Sequence, residues 1–172
     1  MSAIVVVGGQ WGDEGKGRVV DLLAQKAHIV ARYSAGNNAG HTVINELGEF
    51  ALHLIPAGIF YPDKTCVIGN GVVIDPPVLL QEIAELERRG VSVRGRLFIS
   101  DRAHVLMPWH RIIDALDENL RGKDAIGTTG RGVGPAFVDK VGRAGLRIAD
   151  LIDREALDHA LSFLVHYKNA VL

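Results

Sequence analysis

Three short segments of this chain gather the residue types that handle phosphate and protons. The first is Gly8-Gly-Gln-Trp-Gly-Asp-Glu-Gly-Lys-Gly17, where glycines surround two carboxylates and a lysine. Small residues let backbone amides approach an anion, a following helix N-terminus adds unpaired N–H groups, and Lys16 adds a point charge. The segment is not the common nucleotide loop G-x-x-x-x-G-K-[ST]. Counting back from Gly15-Lys16, Gln10 stands at the first glycine, and Gly17 stands at the hydroxyl that would hold magnesium. Nor does it follow the dinucleotide order G-x-G-x-x-G. Carboxylates at a phosphate site oppose anion binding unless a cation or a reaction requires them. Asp13 or Glu14 is therefore the candidate cation ligand.

The second segment, Asn37-Asn38-Ala39-Gly40-His41-Thr42, sets a histidine and two amides after a strand-like run. By itself His41 reads as a structural hydrogen-bonding residue or as a proton-handling one. The third, Ile126-Gly-Thr-Thr-Gly-Arg-Gly-Val-Gly-Pro135, pairs two hydroxyls with an arginine among glycines, a second anion site or a structural loop. Glycine makes up 20 of the 172 residues. With the second loop taken from Ser34 to His41, eleven of them fall in these loops: Gly8, Gly9, Gly12, Gly15, Gly17, Gly36, Gly40, Gly127, Gly130, Gly132 and Gly134.

Strands and helices must carry these loops. Ala3 to Val7 reads as a strand buried on both faces, followed by the first loop and a helix over Arg18 to Lys26. His28 to Tyr33 reads as a strand ending in the second loop. Thr42 to Ile44 and Phe50 to Ile55 flank a hairpin turn at Gly48, and Thr65 to Ile68 is another strand. Asp75-Pro-Pro opens a helix that runs to Arg89 and stops at Gly90. Arg96 to Ser100 is strand-like. Pro108 to Leu120 is helical, with Ile112, Ile113, Leu116 and Leu120 on one stripe. Asp153 caps a last helix, with Leu157, Leu161, Leu164 and Val165 on its apolar face. This alternation predicts one α/β domain over residues 1–172. Its central sheet is mostly parallel with flanking helices, P-loop-NTPase-like, with a β-hairpin insertion. Ligands in such folds sit beyond the carboxyl ends of the strands.

Composition narrows the function classes. Apolar residues are 48% and charged residues 23%, an ordinary globular balance. With 19 Lys+Arg against 20 Asp+Glu, the net charge of -1 gives no broad electrostatic case for nucleic acid. No apolar run reaches the roughly 18 residues of a membrane span, and no secretory signal is apparent. The single Cys66 excludes an internal disulfide and reads as core. These features predict a soluble cytoplasmic protein with neither nucleic acid nor membrane as partner. Asp75 and Asp101 read as N-caps, and His104 and Trp109-His110 as packing and capping residues.

The first loop resembles the N-terminal signature of the adenylosuccinate synthetase family, with Arg18 where the family usually carries lysine. The second resembles its N-A-G-H-T motif. The third resembles G-T-T-x-R-G-I-G-P-A-Y, with Val133 and Phe137 as mild departures. The resemblance implies a GTP-dependent ligase that joins L-aspartate to inosine monophosphate (IMP), giving adenylosuccinate, GDP and phosphate through a 6-phosphoryl intermediate. It implies Asp13 as the base at N1 of IMP and His41 as the acid or hydrogen-bond donor during transfer. An aspartate has an ordinary pKa of about 3.9, so such a base needs a buried setting or an acidified substrate. The GTP site implied is Gly12, Asp13, Glu14, Gly15, Lys16, Gly17, Arg18, Gly40, His41 and Thr42. The IMP site implied is Asp13, Glu14, Gly15, Lys16, Asn38, Ala39, Gly40, His41, Thr129 and Arg143. Magnesium would be held by the Asp13 carboxylate and the Gly40 carbonyl. Arg143 would reach the IMP of the second subunit in a homodimer.

The resemblance also implies a longer protein, of which this chain is an N-terminal part. No guanine-reading N-K-x-D motif occurs, and no arginine-rich loop for aspartate follows Arg147. Two other readings follow: a non-catalytic nucleotide-binding or dimerisation module, and a related ligase acting on another purine monophosphate.

Overall fold

A computed structural model describes residues 2–11 and 14–172, the side chain of Val171 excepted. Three parallel strands form its main sheet, β1 (Ile29–Arg32), β4 (Thr65–Ile68) and β6 (Leu97–Ile99), in the order β1-β4-β6. Their registers pair Val30 with Cys66 and Val67 with Phe98. Between β1 and β4 the chain makes an antiparallel hairpin, β2 (His41–Asn45) and β3 (Gly48–Leu52), and a short 3-10 turn. A second parallel pair, β5 (Val73–Ile74) with β7 (His104–Val105), continues beyond the main strands. This is the mixed α/β fold with a parallel sheet that the sequence predicts.

The helices are α1 (Lys16–Ala24), α2 (Pro76–Arg88), α3 (Pro108–Arg121), α4 (Val133–Val141), α5 (Ile148–Ile152) and α6 (Arg154–Val171). Prolines stand in the first turns of α2 and α3, where their missing N–H costs nothing. The main core joins Leu52, Leu54, Ile55, Ile59, Cys66 and Ile68 to Leu79 and Leu86 of α2 and Ala24 of α1. A smaller core of Val105, Leu146 and Leu164 seats α6. Asp153 caps α6 by accepting from the Glu155 and Ala156 amides at 2.9 and 3.1 Å.

Four expectations change. Ala3 to Val7 is not a strand: Ile4, Val5 and Val7 are exposed, and no described strand pairs with the run. A strand persists only where a ladder partner takes up its amides and carbonyls, so apolar content alone does not make one. The α3 stripe faces outward, with Ile112, Leu116 and Leu120 exposed, because the helix buries its polar His110 and Asp114 instead. Gly48 does not lie inside the hairpin turn. It pairs with Asn45 at φ +110, and the turn is Glu46-Leu47, closed by Asn45 Oδ1 accepting from the Leu47 amide. Asp75 precedes α2 without a side-chain cap, because its carboxylate is taken by Asn37 and Arg111. Helices α4 and α5 come from a stretch the pattern left unassigned.

The ends of α2 and α4 share one geometry. At α2, the Gly90 amide donates to the Glu87 carbonyl and the Val91 amide to Leu86, with Gly90 at φ +84. This is the Schellman arrangement, in which a left-handed residue closes the helix. At α4 the corresponding donors are Arg143 to Lys140 and Ala144 to Asp139, with Arg143 itself at φ +59. An arginine thus holds the place where a glycine is favoured.

Candidate functional site

The first loop is built on Gly15, which takes φ +77 before α1 and whose carbonyl receives the Arg18 amide at 3.0 Å. Lys16 Nζ meets Glu14 Oε2 at 2.7 Å, and Glu14 Oε1 accepts from the Gln10 amide at 2.9 Å. A Cβ added at Gly8 would lie 2.5 Å from the Lys16 ammonium, so the glycine lets this charged pair settle on the backbone. Gly12 and Asp13, proposed from the sequence as loop and base, lie outside the described residues.

Gly17 joins the first loop to the second. A Cβ there would come within 2.5 Å of the His41 Cβ, so only glycine lets α1 pack directly on the imidazole stem. The sequence comparison with other phosphate loops, which seeks a hydroxyl at this place, has no view of that contact. Burial pushes His41 below its ordinary pKa, helped by the Arg32 cation and opposed by Glu82 and Asp21. Its imidazole is therefore neutral at pH 7, suited to donate a hydrogen bond at the nitrogen that carries its proton. Gly40 packs against His53, 3.0 Å from where its Cβ would be. Arg18, Asn38, Ala39, Gly40 and Thr42 are all exposed around this junction.

The second and third loops meet across a wider front. Arg131 donates to the Asn37 carbonyl at 2.5 Å. Gly36 packs on Val133, whose methyls lie 3.0 and 3.1 Å from where a Cβ would be. Asn37 is buried, donating its amide to Asp75 Oδ2 at 2.7 Å, while its Oδ1 finds no partner among the described residues. Ala35, also in this loop, takes φ +72, a left-handed geometry that costs a non-glycine residue. A cleft of about 480 Å³ opens here, lined by Ser34, Asn38, Asp114, Thr128, Thr129 and Phe137, among others. It brings together Asn38 and Thr129, which the sequence places 91 residues apart.

Sequence reasoning missed the two acids that shape the third loop. Asp114 Oδ1 accepts from the Thr128 hydroxyl at 2.9 Å and Oδ2 from the Gly132 amide at 2.8 Å. Glu118, one turn further along α3, accepts from the amides of Ile126, Gly127 and Thr128 at 3.0, 2.7 and 3.2 Å. Partial desolvation raises the Glu118 carboxyl, but the three amides together outweigh it and hold the group below the ordinary carboxylate value. The only sequence signal was an acidic pair at i, i+4, which also describes any solvated helix face. Arg143 is exposed beyond α4. The structure thus links loop one to loop two through Gly17 and His41, and loop two to loop three through Arg131 and the cleft. Among the described residues, no group of three His, Cys, Asp or Glu side chains could hold a metal ion. No helix among them is long and apolar enough to cross a membrane.

Glycine loops from separate parts of the chain, meeting beside a parallel sheet with a lysine at a helix start, define an α/β protein of the phosphate-binding kind. The adenylosuccinate synthetase family model matches residues 5–172, and the chain belongs to that family. It is 59% identical over all 172 residues to the adenylosuccinate synthetase of Heliobacterium modesticaldum and 56% identical to that of Dehalococcoides mccartyi. In each case it spans 40% of the relative's length. Among solved structures it resembles a fully ligated adenylosuccinate synthetase from Plasmodium falciparum, with a TM-score of 0.82 at 39% identity. That match covers 92% of this chain and 37% of the other. A succinoaminodeoxyadenylate synthetase of cyanophage S-2L, bound to dGMP and to dATP as energy donor, matches at 30% identity and TM-score 0.60. There the shares are 78% and 36%.

Proposed function

We propose that this chain supplies the IMP cleft and the phosphoryl-transfer loops of an enzyme that ligates L-aspartate to IMP at the expense of GTP. The observation that carries the reading is the convergence of Asn38 and Thr129 on one cleft, with His41 packed against the start of α1. In the first step Asp13 takes the N1 proton of IMP, and O6 attacks the γ-phosphorus of GTP. The bond from that phosphorus to the bridging oxygen breaks, and GDP leaves. In the second step the amine of aspartate attacks C6 to form the C–N bond, the C6–O6 bond breaks so that phosphate leaves, and the nitrogen gives up a proton to the departing phosphate or to solvent. Neutral His41 donates a hydrogen bond to oxygen as charge develops, and Lys16 neutralises the phosphates.

A carboxylate and a backbone carbonyl are hard oxygen donors of the kind magnesium takes, so Asp13 and Gly40 suit that ion. Bound there, it would offset phosphate charge during transfer. In the proposed homodimer, Arg143 reaches the partner's IMP site, and its held left-handed backbone supports a selected role at that position. The sequence holds no N-K-x-D motif and no arginine-rich loop after Arg147, so no residue here is assigned to guanine or aspartate recognition, and the activity is ascribed to the longer enzyme.

Calorimetric titration with IMP, with GTP and with other purine monophosphates tests the reading. Saturable IMP binding that Thr129→Val weakens supports it. Tighter binding of another purine monophosphate than of IMP would point to a related ligase instead. The greater likeness to the adenylosuccinate synthetase structure than to the phage enzyme favours IMP.

A further inference from the structure

Asp114 is a buried carboxylate, 6% exposed, on a helix whose apolar stripe faces solvent. Turning that polar group inward costs desolvation unless hydrogen bonds replace water. The two bonds that replace it bracket one stretch of chain, the Thr128 hydroxyl on one side and the Gly132 amide on the other. Between them lie Thr129, which lines the cleft, and Arg131, which reaches the Asn37 carbonyl. Gly132 lies directly against the α3 backbone, where only glycine fits. It sits at φ +76, with the His110 carbonyl carbon and the Arg111 nitrogen each 2.7 Å from where a Cβ would be. One carboxylate therefore fixes both ends of a five-residue span, and Glu118 gathers the amides of Ile126, Gly127 and Thr128 at its start.

We infer that Asp114 is a positioning residue for the purine-monophosphate site: by holding Thr128 and Gly132 together it sets the Thr129 hydroxyl and backbone in the geometry that receives the ligand phosphate. The inference rests on the IMP reading above and goes beyond it. Asp114 acts through the loop, and a ligand phosphate would be repelled by direct contact with its charge. Glu118 supports the same loop from its other end, but its exposed position makes it replaceable by water.

The test uses the 172-residue chain and two kinds of variant. Asp114→Asn keeps one acceptor oxygen and turns the other into a donor that cannot receive both groups. Thr128→Val removes the hydroxyl from an exposed residue, so the fold survives, and Thr128→Ser restores it. Each of Asp114→Asn and Thr128→Val is expected to weaken IMP binding about tenfold, the worth of one lost hydrogen bond to a charged group. The double variant should weaken binding by less than the product of the two single effects, because both act on the span that Asp114 holds. Thr128→Ser should bind like the parent, and GTP affinity should stay within about twofold throughout. Amide exchange gives a reading that needs no ligand: Asp114→Asn should speed exchange at Gly132 and leave the α1 amides unchanged. Unaltered exchange at Gly132, or unaltered IMP affinity in a parent chain that binds IMP, overturns the inference. Faster exchange in a chain that binds no IMP overturns the functional reading and keeps the structural link.

Discussion

Arg143→Gly should make this protein more stable and less able to serve a nucleotide. Arg143 closes α4 at φ +59, the place that Gly90 fills at the end of α2 with the same two backbone bonds. Left-handed geometry costs a residue with a Cβ roughly 1–2 kcal/mol. Glycine removes that cost but returns about 0.4–1 kcal/mol through the greater freedom of the unfolded chain. The side chain of Arg143 is exposed, so its loss takes little packing with it. The net expectation is about 0.5–1 kcal/mol of stabilisation, or roughly 1–4 °C in Tm for a chain of this size. Arg143→Ala is the control, since it removes the guanidinium and keeps the strain. Urea unfolding of the three proteins reads stability, and IMP titration over a range of protein concentrations, as the proposed homodimer requires, reads function. Both variants should lose the contribution of Arg143 to IMP binding, while only the glycine variant gains stability. Equal stability of the glycine and alanine variants would refute the claim that the left-handed arginine is held against a cost.

Gly17→Ala should shift His41 or α1, because the added methyl meets the imidazole stem at 2.5 Å; overpacking of this kind costs about 1–3 kcal/mol by denaturant titration. Asp75→Ala leaves the buried Asn37 amide without its acceptor and Arg111 without its partner, and urea titration should show about 2 kcal/mol lost, Arg111 being half exposed. Stability should fall as pH drops from 7.5 to 5. Burial holds His110, His104 and His41 below the ordinary imidazole value, so the unfolded chain takes up more protons in that window. For His110 the geometry agrees, since its Nδ1 accepts from the Met107 amide at 2.9 Å and its Nε2–H is left to donate to Asp139. A flat stability profile across pH 5 to 7.5 would contradict this.

The loops were legible because glycine, carboxylate and hydroxyl patterns state their chemistry locally. Strands β1 and β4 were legible because β-branched runs bounded by polar loops have few other uses. The failures share a cause: the deciding partner lies far along the chain. Ala3 to Val7 has strand composition, but pairing is a property of two segments, and no described strand accepts it. The α3 stripe has helical spacing and faces the wrong way, because Asp139 and the third loop claim the polar side of that helix for His110 and Asp114. The buried trio of His110, Asp139 and Lys168, with Lys168 Nζ donating to Asp139 Oδ1, joins three helices and has no local signature at all. Asp75 was read as a cap from its position before two prolines, and Asn37 outbids the helix amides for its carboxylate. Pro135, in the first turn of α4, masked that helix behind a loop-like sequence.

In the proposed function the second and third loops form one purine-monophosphate cleft. Chemical-shift mapping of the ¹⁵N-labelled chain during an IMP titration tests it most directly. Saturable shifts are expected at Asn38, Ala39 and Thr128 to Arg131, with smaller ones near His41 and none on the α6 amides. Saturation that leaves Asn38 and Thr129 unmoved, or no saturable shift anywhere in the two loops, would contradict it.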